Sequence, residues 1–170
     1  MLPPHCSEGM HTYLLSAACY EHRELLARPD RMSEFAQALL GVEDDLGSTV
    51  HAWVILPNHY HIVAETDLHV YRRWVGRLHN GKSTQWNRED GTAGRRVWFR
   101  FTDRWIRGAG HYYATINYVH ANAVKHGYAM QADEWPWSSV HEYIHQVGLE
   151  ALEEWSRKYP SLDYGRGWDD

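Results

Sequence analysis

The stretch TVHAWVILPNHYHIVA, residues 49–64, holds two short runs of β-branched and aromatic residues on either side of a turn signal. Residues 49–56 form the first run and residues 59–64 the second, and both are rich in residue types that favour strands. Pro57 and Asn58, which separate them, are typical turn residues. The stretch therefore predicts a β-hairpin.

The segments around this hairpin predict two more strands and three helices. Residues 11–20 and 97–106 are apolar and β-capable, which indicates strands. Three other segments repeat apolar residues with the 3.6-residue period of a helix. These residues are Met32, Phe35, Ala36 and Leu39 in the first helix, Tyr71, Trp74, Val75 and Leu78 in the second, and Tyr112, Ile116, Val119 and Ala123 in the third.

Polar residues and one glycine mark the ends of these helices. Asp30 and Asp67 are placed to cap the first two, and the first extends to about Asp45. Gly127 stands where a glycine commonly ends a helix. The order β-α-β-β-α-β-α, with one hairpin and two crossovers, predicts an antiparallel sheet covered by helices, which is a ferredoxin-like α+β fold.

The 170-residue chain has the composition of a folded globular protein, with 44% hydrophobic and 23% charged residues. We expect one domain over residues 1–146 and a C-terminal helix and tail over residues 147–170. No apolar run approaches the roughly 18–20 residues that cross a bilayer, and we expect no secretory signal. Two cysteines, Cys6 and Cys19, are too few for a disulfide framework, so we expect a cytoplasmic protein.

The charge of the chain is unevenly distributed. The net charge is −5, yet residues 72–107 hold ten of the 17 Lys and Arg residues and three of the 22 acids. A basic segment inside an acidic chain is typical of a surface that meets a polyanion. A solvated face of mixed charge would give the same count, so the count alone does not decide between the two.

Two pairs of residues have a spacing that suits chemistry. His59 and His61 lie two apart on a predicted strand, where their imidazoles would project from one face. Tyr118 and Asn122 lie four apart on a predicted helix, in a polar stripe opposite the apolar one. Each pair alone is a weak signal, because the chain has 13 histidines and 11 tyrosines.

Taken together, the four residues predict a metal site beside a nucleophile. Two imidazoles and one amide oxygen form a mixed N/O ligand set with open positions for water or substrate. A hard ion such as Mg²⁺ or Mn²⁺ would suit a phosphate substrate and withdraw charge from its non-bridging oxygens. A tyrosine hydroxyl next to that phosphate could attack phosphorus and form a phosphotyrosine bond.

Four ordered motifs resemble those of the REP-associated tyrosine transposases, a family of HUH single-tyrosine transposases. The Pro-x-His-hydrophobic-His strand of this family resembles PNHYH at 57–61, and its Tyr-Ile-x-x-Asn-Pro-Val-x-x-Gly signature resembles YVHANAVKHG at 118–127. A strand tryptophan matches Trp98, and a Trp-Pro-x-Ser-Ser element appears as WPWSS at 135–139. The resemblance covers most of the chain.

The resemblance implies that His59 and His61, with Asn122 as third ligand, bind the metal. It implies that Tyr118 forms a 5′-phosphotyrosine on single-stranded DNA, at hairpin-forming repeats, in a monomer or a homodimer. The chain departs from the family at Ala123, where proline is usual, and alanine lets the helix continue. This departure and the acidic net charge leave a domesticated protein open, and a reading in which Tyr118 is inert gives a second alternative. One is a domesticated hairpin-binding protein without nuclease activity, and the other is a metal-dependent hydrolase or structural metal protein.

Further DNA contacts are predicted from the basic segment and from the helix of Tyr118. Single-strand binding needs cations along a groove and aromatic faces for stacking. The predicted contacts are Arg95 and Arg96, in a glycine-containing loop, together with Arg72, Arg73, Arg77 and Lys125. Most aromatic residues of the segment are expected in the core. His120 and His126 are both placed near the predicted nucleophile. Either could assist its proton transfer, or both could be exposed helix residues, and the sequence does not decide among these.

Overall fold

The computed structural model describes residues 9–161 and 163–165. The strands and helices are β1 (Met10–Cys19), α1 (Pro29–Leu40), α2 (Val42–Leu46), β2 (Thr49–Ile55), β3 (His59–Asp67), α3 (Leu68–Glu89), β4 (Trp98–Trp105), α4 (Ala109–Lys125), α5 (Val140–Val147) and α6 (Leu149–Lys158). Short 3₁₀ turns occupy Tyr20–His22 and Ala132–Glu134. Cys6 and the end of the predicted C-terminal tail lie outside the described residues.

The four strands form one antiparallel sheet in the order β2-β3-β1-β4. The predicted hairpin is present, with Ile55 of β2 opposite Tyr60 of β3. Because β3 leaves the hairpin to pair with β1, the β1–α1–β2 crossover is split by an inserted strand, as in ferredoxin-like folds. The predicted α+β class is confirmed, and β3 and β1 are the two central strands.

Alternate residues of the central strands enter two separate cores. Leu15, Tyr60 and Ile62 belong to the core that the sheet shares with α1 and α3. Leu14 and Val63 belong to a second core, on the opposite face, together with residues of α4. The sheet is therefore covered by helices on both faces, and residues of β3 alternate between the two.

The first helical segment differs from the prediction in two ways. The helix predicted to reach Asp45 is divided at Gly41 into α1 and α2. Gly41 is the C-cap of α1, and its N–H donates to the carbonyl of Gln37 at 3.1 Å. A Cβ at Gly41 would lie 3.2 Å from the carbonyl oxygen of Ala38, so the close approach there suits glycine. Asp30 does not cap α1, because the helix begins at Pro29, whose fixed φ suits a first turn.

The caps predicted for α3 and α4 are confirmed. The Asp67 carboxylate accepts hydrogen bonds from the backbone N–H groups of His69 at 2.9 Å and Val70 at 3.1 Å. Gly127 comes directly after His126, the C-cap of α4, and has a φ of 75°, a conformation that glycine adopts at little cost. Local sequence thus fixes where α3 begins and where α4 ends.

The chain after α4 adds a strand-like segment and two helices. The N–H of Ile55 donates to the carbonyl of Trp137 at 2.9 Å, so the WPWSS segment lies along the free edge of β2. Helix α6 packs on α4, where the side-chain amide of Asn117 donates to the carbonyls of Trp155 at 3.0 Å and Tyr159 at 2.9 Å. No helix within 9–161 and 163–165 is long and apolar enough to cross a membrane.

Replacing the α3 cap should weaken the fold measurably. Asp67→Ala removes the acceptor for two N–H groups of the first turn, and we expect a loss of about 0.5–2 kcal/mol in the free energy of unfolding. Urea denaturation measures this loss. Asp44→Ala is the matched control, because Asp44 is an exposed acid in α2. Equal losses in the two variants would show that the cap contributes nothing specific.

A buried histidine should make the protein sensitive to acid. The imidazole of His79 lies 3.0 Å from the Tyr60 hydroxyl and stacks on Trp98, and burial lowers its pKa from 6.5 to about 3. The unfolded chain binds a proton near pH 6.5 that the folded chain excludes until about pH 3, so stability falls as the pH falls through this window.

Between pH 6.5 and about pH 4, we expect His79 to lower the free energy of unfolding by about 3 kcal/mol. Urea denaturation at several pH values should therefore show a smaller acid-induced loss in His79→Gln, which keeps a polar partner for Tyr60, than in the unsubstituted protein. His120, whose pKa burial lowers to about 4, contributes equally to both proteins. Identical pH slopes would contradict the assignment of this loss to His79.

Candidate active site

Strand β3 presents both predicted histidines to α4. His59 and His61 are buried on the α4 face of the sheet, and their ring centroids lie 5.1 Å apart. Tyr60, between them, points into the opposite core, where its ring lies 5.2 Å from that of Phe35. The two-residue period of the strand therefore brings the imidazoles together as predicted.

Each imidazole is held through its Nδ1 atom. Nδ1 of His61 lies 2.5 Å from Oγ of Ser16, its neighbour on β1, and Nδ1 of His59 lies 2.7 Å from Oδ1 of Asn58. Imidazoles that bind metals are commonly oriented by a hydrogen bond at the other nitrogen. Both Nε2 atoms are consequently directed toward α4.

Helix α4 places the two predicted residues opposite these Nε2 atoms. The Tyr118 hydroxyl lies 3.2 Å from Nε2 of His61, and Oδ1 of Asn122 lies 3.0 Å from Nε2 of His59. The helix continues through Ala123 to Lys125, so alanine at this position does not draw the Asn122 side chain away from the histidines. All four residues converge within a single chain.

Tyr118 lies in a different environment from the one predicted. It is 2% exposed and belongs to the same apolar cluster as Ile116 and Val119, so the predicted polar stripe is wrong. The reason is that α4 is covered by the sheet on one side and by α6 on another, which buries every residue from Ala114 to His120. The phenol is held in place by packing as well as by its polar contact.

The residues fit a bound cation. The amide nitrogen of Asn58 donates to the carbonyl of His22 at 3.3 Å, which turns Oδ1 of Asn58 toward Nδ1 of His59. Nδ1 of His59 then donates, and the lone pair of Nε2 faces the amide oxygen of Asn122. Two facing acceptors suit a shared cation. The Nδ2 atom of Asn122 is also buried without a hydrogen-bond partner among the described residues.

The donor set is limited to neutral groups. Within 9–161 and 163–165, no group of three or more His, Cys, Asp or Glu residues is placed to hold a metal ion. The candidate ligands are the predicted His59, His61 and the amide of Asn122, which the structure brings together. Such a partial set of nitrogen and oxygen donors leaves coordination positions for phosphate oxygens.

The structure distinguishes between the two histidines near the predicted nucleophile. The ring of His126 lies 4.8 Å from that of His59, at the site. His120 lies away from it, with Nε2 3.0 Å from Oγ of Ser139, and burial lowers its pKa to about 4. Lys125 also adjoins the site, since its Nζ lies 5.1 Å from the centroid of the Tyr118 ring.

The other predicted DNA contacts lie in different places. Arg72, Arg73 and Arg77 are on α3, which covers the face of the sheet opposite the histidines. Arg72 forms a 2.6 Å ion pair with Asp103. These arginines are exposed but do not adjoin Tyr118, and their contact with DNA stays a prediction.

The two loop arginines also differ in their surroundings. Arg95 is turned inward, 2.7 Å from the Asp90 carboxylate and 3.0 Å from the amide oxygen of Asn87. Arg96 is exposed, and its guanidinium lies over the ring of Tyr20 at 4.6 Å. Between these two predicted contacts, Arg96 is the one whose charge is available at the surface.

Several residues around the site were missed in the sequence. A cavity of about 40 Å³ beside the histidines is lined by Ser16, Ala18, Phe99, Arg100 and Thr102, among others. The register pairs Ser16 with Thr102 and with His61, which places these three side chains on one face. Alternation along β4 predicted that Arg100 and Thr102 share a face of the sheet. Without the register of β4 on β1, it did not show that this is the face of the histidines.

Comparison with known proteins shows which proteins this chain is similar to. No protein-family model matches the chain. The chain is 31% identical over 111 residues to the REP-associated tyrosine transposase of Escherichia coli (strain K12), an alignment that covers 63% of each protein. It is also similar to the structure of a REP-associated tyrosine transposase bound to a REP hairpin, with a TM-score of 0.65 and 23% identity over 86% of this chain and 87% of that one.

The fold and the site together define a ferredoxin-like domain in which a helix tyrosine faces a His-x-His strand. The aligned sequence and the shared fold confirm that this chain resembles the REP-associated tyrosine transposases. The chain spans 63% of the length of the E. coli relative that it matches.

Proposed function

We propose that this chain is a transposase that cuts and rejoins single-stranded DNA through a covalent bond to Tyr118. The observation that carries the proposal is the position of the Tyr118 hydroxyl, 3.2 Å from Nε2 of His61 and next to His59 and Asn122 in the same chain. The Tyr118 ring packs in an apolar cluster, but its hydroxyl contacts an imidazole that also lines the cavity of about 40 Å³, and this contact supports a role as nucleophile.

The proposed reaction conserves the energy of the phosphodiester bond. The Tyr118 oxygen loses its proton and attacks phosphorus, the bond from phosphorus to the 3′ oxygen breaks, and that oxygen leaves as a hydroxyl with a proton. The product is a 5′-phosphotyrosine. Attack by the 3′ hydroxyl of another strand reverses these steps, re-forms a phosphodiester and returns the phenol. No external energy source is required.

The residues around Tyr118 have separate tasks in this proposal. His59, His61 and Asn122 would hold Mg²⁺ or Mn²⁺, which when bound withdraws charge from the non-bridging phosphate oxygens. The ammonium of Lys125, 5.1 Å from the centre of the phenol ring, favours the negative charge that develops as the proton leaves. Burial of the ring fixes its direction of attack.

Hairpin DNA is the proposed substrate. The similar solved structure is that of a protein bound to a REP hairpin, and its fold matches 86% of this chain. The tyrosine and the histidines of this chain meet without a second copy, so the proposal requires only one chain for each cleavage. A domesticated DNA-binding protein, by contrast, would not need a phenol oriented toward the two histidines.

A covalent adduct tests the proposal. Incubation with Mn²⁺ and a labelled single-stranded hairpin DNA should give a protein–DNA band that survives boiling and a denaturing gel. Tyr118→Phe should abolish this band, because it removes only the attacking oxygen. Tyr112→Phe is the matched control on the same helix, since the Tyr112 hydroxyl contacts His51 instead, at 3.2 Å, and it should keep the adduct.

Other results of the same gel would contradict the proposal. A mobility shift without an adduct in the unsubstituted protein indicates a hairpin-binding protein. No shift and no adduct, with zinc copurifying, indicates a structural metal protein or a metal-dependent hydrolase. An adduct that persists in Tyr118→Phe would place the nucleophile elsewhere in the chain.

Metal binding is tested separately by thermal denaturation. At about 100 times its dissociation constant, a ligand that binds only the folded state adds about 2.7 kcal/mol of stability. We therefore expect Mn²⁺ to raise the melting temperature, and His59→Gln to abolish most of the rise. His51→Gln, which changes a half-buried histidine on β2, should keep it. Equal rises in all three proteins would contradict the proposed ligands.

A further inference from the structure

Strand β4 contains one extra residue next to the candidate active site. Arg100 pairs with Ala18 of β1, but the next residue of β1, Cys19, pairs with Trp98. Phe99 is therefore left without a partner on β1, which is the arrangement of a β-bulge. Bulges change the direction of a side chain and occur frequently next to active sites.

The bulge separates two neighbouring aromatic residues. Trp98 enters the core, where it stacks on His79 with 4.1 Å between ring centroids. Phe99 turns outward and is 51% exposed, which is unusual for a phenylalanine on a strand. In a regular strand, Phe99 would pair with Cys19 and Trp98 would point to the opposite face. The bulge instead pairs Trp98 with Cys19 and leaves Phe99 without a partner on β1.

The exposed ring is held in place by its neighbours. The Arg96 guanidinium lies 5.8 Å from the centroid of the Phe99 ring and 4.6 Å from that of Tyr20. It donates to the carbonyls of Trp98 at 3.1 Å and of Phe99 itself at 3.2 Å. Arg96 therefore links the backbone of the bulge to the Tyr20 ring, and the Phe99 ring beside it stays exposed.

This aromatic surface lies at the cavity that contains the histidines. Phe99 lines that cavity together with His59, His61 and Arg100. The Arg100 side chain has no ion-pair partner among the residues that the structure describes. An exposed aromatic ring flanked by two arginines, beside a phosphate-processing site, has the composition of a surface that binds single-stranded nucleic acid.

We propose that Phe99 is the stacking platform for one nucleobase of single-stranded DNA adjacent to the phosphate that Tyr118 attacks, with Arg96 and Arg100 contacting the flanking phosphates. This inference rests on the proposed function, because it assigns the substrate strand a path from β4 into the histidine cavity. It adds a substrate-positioning residue that none of the four sequence motifs contains.

A second exposed aromatic residue on β4 provides the matched control. Trp105 is 39% exposed, and the Arg107 guanidinium lies 4.1 Å from its ring centroid. It pairs with Tyr13, whose side chain enters the core on the α1 and α3 face, so Trp105 lies on the side of the sheet opposite the histidines. Phe99 and Trp105 are both exposed aromatic residues of β4 beside an arginine, but only Phe99 lies at the histidine cavity.

Base-dependent DNA binding tests the platform. The probes are a DNA hairpin with a single-stranded thymidine tail and the same hairpin with an abasic tail of equal charge, measured by fluorescence anisotropy. Phe99→Ala should weaken binding of the thymidine tail by about 5- to 100-fold and leave binding of the abasic tail unchanged. Phe99→Trp should restore the preference for bases, and Trp105→Ala should retain it.

Two outcomes would overturn the inference. One is equal weakening of both probes by Phe99→Ala, which would indicate a structural effect. The other is that Phe99→Ala weakens binding of neither probe. If light scattering also showed that Phe99→Ala converts a dimer to a monomer, Phe99 would belong to a dimer interface instead. The covalent adduct to Tyr118 is measured independently in the unsubstituted protein. If that adduct forms but Phe99→Ala keeps the preference for bases, this inference fails while the proposed function stands.

Discussion

Strand β3 imposes the constraint on which the site depends, because its residues must alternate between two cores. Tyr60 and Ile62 are committed to the core under α1 and α3, so His59 and His61 have to face α4. Two polar rings buried on that face require polar partners, since an unpaired buried polar group costs about 1–3 kcal/mol. Tyr118 on α4 meets one of these needs, and the amide of Asn122, one turn later, faces the other ring.

The surrounding structure serves to hold α4 in that position. The buried imidazole of His120 contacts Ser139, whose hydroxyl accepts from the backbone N–H of Trp53 on β2 at 2.9 Å. On its other side, Asn117 bonds α4 to the backbone of α6 and the residue that follows it. The WPWSS segment and the C-terminal helix thus fix the helix that carries the tyrosine, although neither contributes one of the four residues of the candidate site.

Much of this arrangement followed from local patterns in the sequence. The strand period of the His-x-His motif and the helix period of the Tyr118 signature predicted which residues share a face, and the order of elements predicted the sheet. What local patterns lack is register. The sequence did not show that Ser16 and Thr102 flank His61, or that a bulge exposes Phe99. Nor did it show that Arg95 pairs with Asp90, because this ion pair depends on how a loop folds back on α3.

The central claim is that one chain assembles the phenol, both imidazoles and the amide around a single cation. Anomalous scattering from a crystal grown with Mn²⁺ tests it most directly. We predict one peak in contact with Nε2 of His59, Nε2 of His61 and the side chain of Asn122, with the hydroxyl of Tyr118 from the same chain beside it. A peak elsewhere, or a Tyr118 hydroxyl remote from both imidazoles of its own chain, would contradict it.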